Sequence, residues 1–128
     1  MSIKDQRAWV MFGALLGAVG VAMGAFGAHA LKDIMTDHYL EVYETASKYM
    51  LIHAVLITAL GANSRSTIPQ SILYFFVLGS CIFSVSLWVL AITQIKLLGA
   101  ITPIGGVLLI IGWLRLAWWG KNADSASS

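Results

Sequence analysis

The stretch AWVMFGALLGAVGVAMGAFGAHALK, Ala8 to Lys32, decides how the chain must be read. From Ala8 to Ala28 it holds no charged or strongly polar side chain. As a helix rising about 1.5 Å per residue, that run covers roughly 30 Å, the thickness of a bilayer's hydrocarbon core. It predicts a transmembrane helix. Its glycines, Gly13, Gly17, Gly20, Gly24 and Gly27, recur at alternating steps of four and three, which aligns them on one face as a groove of bare backbone. Such a groove gains nothing against lipid, so it predicts close neighbours, either later helices of this chain or a second copy. Bulky replacements at Gly17 and Gly24 are expected to disrupt the assembly.

The totals agree. Of 128 residues, 59% are hydrophobic and 11% charged, with a mean hydropathy of +0.81, which places the chain outside soluble globular domains and among membrane proteins. Three or four spans with short loops use nearly the whole length, so no soluble domain is expected. The net charge of +2 comes from dispersed lysines and arginines, without the basic patch and interleaved aromatics that nucleic acid binding needs. Cys81 is the single cysteine, so it forms no disulfide within the chain and belongs to no cysteine-rich metal site; it reads as a small apolar core residue. The basic start MSIKDQR, the apolar run and Ala28-His29-Ala30 imitate a secretory signal with its cleavage site. The run is longer than a signal's roughly 7–15 apolar residues and carries the glycine stripe, so it is expected to be a retained span.

Beyond it, Leu31 to Lys48 is charged and polar, with Thr36 or Asp37 as a plausible N-cap of a helix that begins near residue 38 and runs into the membrane. Tyr49 to Ala62 is free of charge; counted back to Thr45, with Lys48 reaching for the interface, it is long enough to cross. Gly61 to Pro69 reads as a loop, Ser71 to Thr93 as a third span, and Gln94-Ile95-Lys96 as a tight link that forces an antiparallel hairpin with a fourth span, Leu97 to Trp119. Pro103, about two turns into that fourth span, is expected to kink it, with Gly105 and Gly106 thinning the helix at the same depth. The expected fold is all-α: an up-down antiparallel four-helix integral membrane bundle with a Pro-kinked fourth helix. Residues 1–120 form one domain with spans of about 8–30, 45–62, 71–94 and 97–119, and residues 121–128 a disordered polar tail.

With four spans, Lys4, Arg7, Arg65, Arg115 and Lys121 lie on one side and Lys32, Lys48 and Lys96 on the other. The positive-inside rule then sets both termini of this multi-pass membrane protein in the cytoplasm. Trp9 and the group Trp113, Trp118 and Trp119 fall at one interface only for an even number of spans.

Candidate chemistry is sparse. His29 and His53 would differ in depth by roughly 8–10 Å on adjacent helices, which does not suit a bis-histidine haem. No HExxH motif, paired carboxylates or nucleophile elbow is present, and no cofactor or metal is expected. Ionisable groups inside a membrane are costly and face protein or water, so His53 and Lys48 are the default candidates. Tyr49 and His53 lie four apart, as do Glu44 and Lys48. Glu44 and Lys48 read either as a surface ion pair or as part of a polar cluster. His53 reads either as bonded to a hydroxyl such as Thr102 or Ser84, or as part of a proton-handling or ligand-gripping cluster.

At GAFGAHALK (Gly24–Lys32), ETASKYMLIHA (Glu44–Ala54), FSVSLWVLAIT (Phe83–Thr93) and LLGAITPIGGVLLIIGWL (Leu97–Leu114), the chain resembles a family of small four-helix membrane proteins of unknown function. That family includes the bacterial YgdD and YwdK inner-membrane proteins and small mitochondrial transmembrane proteins of animals. The resemblance runs from about Trp9 to Trp119 and implies four spans in the plasma membrane without a settled activity. It marks His29, Tyr49, His53, Ser84, Ser86, Thr102, Pro103 and Gly106 as motif positions. The chain departs from the pattern at Val85, where the family tends to have Gly, and at Lys48, where a neutral amide or an acid is more usual. The expected role is non-enzymatic packing, in membrane integrity or as an accessory subunit, with membrane lipids, a homo-oligomer or a larger membrane complex as partners. The alternative is an oligomeric small-molecule, ion or proton transporter or channel; an enzyme acting on lipid or quinone ranks third.

Overall fold

A computed structural model describes residues 1–63 and 68–126. The described chain is helical: α1 (Ile3–Phe26) running into a π-helical turn at Gly27–Leu31, α2 (Asp37–Ala62), α3 (Gln70–Thr93), a short 3-10 helix at Lys96–Ala100, and α4 (Thr102–Ala126). All four long helices have the length and apolar content to cross a membrane. The part of the expected 61–69 loop that carries Arg65 lies outside the described residues.

Local signals account for the ends. Ser2 caps α1 in a reciprocal box with Asp5, each satisfying a backbone N–H of the other. Thr36 caps α2 by accepting from Tyr39 N, as its position in the sequence suggested. Gln94 closes α3 in the left-handed conformation, φ 59°, and its N–H returns to Leu90 O at 2.7 Å.

Each sequential pair of helices packs antiparallel, because the contacts pair rising residue numbers with falling ones. Gly13 and Gly20 of α1 and Gly27 of the π-helical turn face Thr58, Leu51 and Tyr43 of α2. Tyr43, Tyr49 and His53 of α2 meet Trp88, Phe83 and Phe76 of α3, and Gly79 and Phe76 of α3 meet Leu109 and Gly112 of α4. The fold is a four-helix bundle with α2 and α3 at its centre. In each central helix 39% of the most apolar window is buried, against 17% in α1 and α4. The outer helices do not pack along one another. Two apolar clusters fill the interior. One gathers Trp9, Ile57, Ile72, Phe76 and Leu109, and the other Leu31, Tyr43, Met50, Trp88 and Ala91.

Two expectations are corrected. Pro103 does not kink a helix. The chain from Lys96 to Ala100 is 3-10 rather than α, and α4 starts at Thr102, so Pro103 occupies its first turn, where a backbone N–H has no helical partner to lose. The tail is not wholly irregular either, since α4 continues through 121–126.

Candidate functional site

The glycine stripe of α1 faces α2, and it divides in two. A methyl group at Gly13 would lie 2.7 Å from Thr58 N, one at Gly20 2.9 Å from the Leu51 side chain, and one at Gly27 2.5 Å from the Tyr43 ring. These three, seven residues apart, are where backbone meets α2 without space for a side chain. Gly17 and Gly24 are different: a methyl there would stand 3.7 Å from Ala54 Cβ and 3.9 Å from Ser47 Cβ, an ordinary contact. The tight positions are thus Gly13, Gly20 and Gly27, not Gly17 and Gly24. A second close approach joins α3 and α4, where a methyl at Gly105 would lie 2.8 Å from Phe83 Cα and 2.9 Å from Gly79 O. Gly106 has room, with Phe83 3.8 Å away.

Along these seams the buried polar side chains bond from helix to helix. Tyr43 donates its hydroxyl to Met23 O at 2.7 Å, joining α2 to α1. Ser47 donates back to Tyr43 O at 3.3 Å and receives the Trp88 indole N–H at 3.0 Å, which carries the chain of bonds into α3. Ser84 donates to Ala46 O at 2.8 Å. Ser86 and Thr102 share a hydrogen bond of 2.7 Å between α3 and α4, and the Trp9 indole reaches Gln70 Oε1 at 3.1 Å between α1 and α3. Ser80 Oγ is fully buried and has no partner among the described residues.

His53 of α2 is buried, 3% exposed, against α3 and α4. Its Nδ1 lies 2.7 Å from Tyr49 O, and a carbonyl only accepts, so Nδ1 carries the proton. Nε2 is then the acceptor, and Trp113 donates its indole N–H to it at 3.0 Å. The neutral ring is satisfied at both nitrogens, and a second ring proton would point at another N–H. Tyr49 stacks over it, centroids 6.3 Å apart, with Phe76 and Trp113 against its other sides.

The expected partner of His53 was a hydroxyl, Thr102 or Ser84. Those hydroxyls are committed elsewhere, to Ser86 and Ala46, and an indole takes their place. His29 is exposed in the π-helical turn, remote in sequence and environment from His53, and Glu44 and Lys48 are exposed on α2 without forming an ion pair. An exposed pair four residues apart gains too little to fix two long side chains. Among the described residues no group of three His, Cys, Asp or Glu side chains stands close enough to hold a metal. Tyr43, Ser47, Trp88 and Trp113 were not singled out as polar positions in the sequence. A signal for Trp88 was present, since an indole N–H in the middle of a span must find an acceptor. Trp113 read as an interfacial aromatic, and only the packing of α4 turns it toward His53.

A family model described as "Protein of unknown function (DUF423)" matches residues 23–106, more than half of the chain. The chain belongs to the DUF423 family. This agrees with the resemblance carried by the GAFGAHAL and TPIGG blocks. Similar curated proteins include a UPF0382 membrane protein of Staphylococcus epidermidis, 44% identical over 115 residues that cover 87% of this chain and 93% of the relative. Those of Staphylococcus aureus and Staphylococcus saprophyticus are 43% and 44% identical, covering 93% and 94% of their own length. No solved structure matches the chain. Within DUF423, the matched residues include His53, Ser84, Ser86 and Thr102, whereas Trp113 lies beyond them.

Proposed function

We propose that this DUF423 protein is a non-enzymatic packing element of the bacterial inner membrane, with both termini in the cytoplasm, serving membrane integrity or a larger complex as an accessory subunit. One observation carries the reading. Apart from Ser80, the buried polar side chains are spent on joining helices: α1 to α2 and α3, α2 to α3 and α4, and α3 to α4. Polar groups committed to carbonyls, hydroxyls and rings of the same chain rigidify a bundle in lipid, where an unmade bond is costly. The transport reading has less support. His53 offers no free ring nitrogen to a passing proton, and with Pro103 at a helix start there is no kink for a path to follow.

The test has two arms. In proteoliposomes the wild type is expected to raise proton flux no further than protein-free vesicles do, and crosslinking in native membranes is expected to join the chain to a second copy or a neighbouring subunit. Flux that His53→Ala abolishes, or a chain that crosslinks to nothing, overturns the proposal.

A further inference from the structure

Where α1 and α3 begin, their first three turns line an open cleft of about 300 Å³, at the lower end of the roughly 300–1,000 Å³ typical of ligand clefts. Its mouth is polar, with Asp5 in the first turn of α1 and Gln70 at the first position of α3. Its walls are the rings of Trp9 and Tyr74, edge to face at 4.8 Å, and its deeper end is Phe12 and Leu78. Seven residues separate Asp5 from Phe12 and eight separate Gln70 from Leu78, so the apolar end lies roughly 10–12 Å further along the helices. The cleft is graded like an amphiphile, polar at the helix starts and apolar toward the middle of the spans.

We propose that this cleft binds the headgroup of an amine-bearing glycerophospholipid, its ammonium against Asp5 and the aromatic walls and its first acyl carbons along Phe12 and Leu78. Charge complementarity selects this occupant. Asp5 Oδ2 is held by the Ser2 N–H at 3.1 Å and the Ser2 hydroxyl at 2.8 Å, which fixes the carboxylate and leaves Oδ1 for a ligand. The N-terminal ammonium and Lys4 act on its charge from nearby, but neither closes an ion pair with it. A carboxylate beside indole and phenol rings attracts an ammonium through both its charge and the negative ring faces, and it repels a headgroup carrying phosphate alone. The Trp9 ring is fixed for this task, since Gln70 holds its N–H at 3.1 Å and Tyr74 packs against it at 81°. The site is independent of the packing role above, and neither depends on the other's test.

The experiment presents the purified full chain in mild detergent with equimolar phosphatidylethanolamine and phosphatidylglycerol of matched acyl chains, and native mass spectrometry counts the retained lipids. The wild type is expected to retain phosphatidylethanolamine at least about threefold over phosphatidylglycerol, as one ammonium–aromatic and carboxylate site provides. Asp5→Asn is expected to remove that preference. Tyr74→Leu alters a side chain that is 56% exposed and so spares the fold; it is expected to reduce the preference. Equal retention by the wild type, or an undiminished preference in either variant, overturns the proposal.

Discussion

Trp113 of α4 donates its indole N–H to Nε2 of His53 of α2 at 3.0 Å, and this bond crosses between two helices that are not neighbours in sequence. It fixes the tautomer of the ring, because the other nitrogen must then donate to Tyr49 O. Removing either partner strands the other in an apolar setting. In a double-mutant cycle of His53→Ala and Trp113→Phe, followed by thermal melting in detergent, the coupling is expected at about 0.5–1.5 kcal/mol. A coupling near zero would show that the bond contributes nothing to holding α4.

Substitutions in the glycine stripe should have unequal effects. Gly13→Ala forces a methyl into the backbone of Thr58 and is expected to cost about 1–3 kcal/mol, as other overpacked substitutions do. Gly17→Ala places its methyl in ordinary contact with Ala54 and is expected to stay within about 0.5 kcal/mol of the wild type. Melting temperatures of the two variants decide the matter, and equal losses would mean that α1 does not sit on α2 in this register.

Pro103 and Gly105 lie two residues apart yet should respond in opposite ways. Pro103→Ala restores an N–H in the first turn of α4, where no helical acceptor awaits it, and a change of no more than about 1 kcal/mol is expected. Gly105→Ala pushes α4 away from Phe83 and Gly79 and is expected to lower the melting temperature clearly, at about 1–3 kcal/mol. A large effect of Pro103→Ala with a small one of Gly105→Ala would restore the kinked-helix reading.

The hydroxyl of Ser47 both donates to Tyr43 O and accepts from Trp88. Ser47→Ala leaves the Trp88 indole N–H buried without an acceptor and is expected to cost about 1–3 kcal/mol. Tyr43→Phe removes one bond, to a Met23 carbonyl that also accepts from the Gly27 N–H, and is expected to cost less, about 0.5–1.5 kcal/mol. Chemical denaturation of both variants ranks them, and the reverse order would show that the Trp88 bond is not the stronger link.

The sequence by itself determined that the chain is a four-helix membrane protein. Uninterrupted apolar length is a local property, and in lipid a chain of that composition has few options besides the helix. It also determined that α1 carries a face meant for another helix, and that α2 begins just after a cap at Thr36 or Asp37, because spacing and caps are local too; the structure makes the cap Thr36. The tertiary structure decided what each face touches. Five glycines at similar spacing look alike in sequence, but the crossing of α1 and α2 brings Gly13 onto the Thr58 backbone, Gly20 onto the Leu51 side chain and Gly27 onto the Tyr43 ring, while leaving Gly17 and Gly24 room. Pro103 looked interior because the apolar run starts at Leu97; the 3-10 turn that makes it a helix start comes from closing the hairpin with α3. His53 has an indole for a partner rather than a hydroxyl for the same reason: which side chains share a depth and a side depends on how four helices pack, and no stretch of the chain encodes that alone.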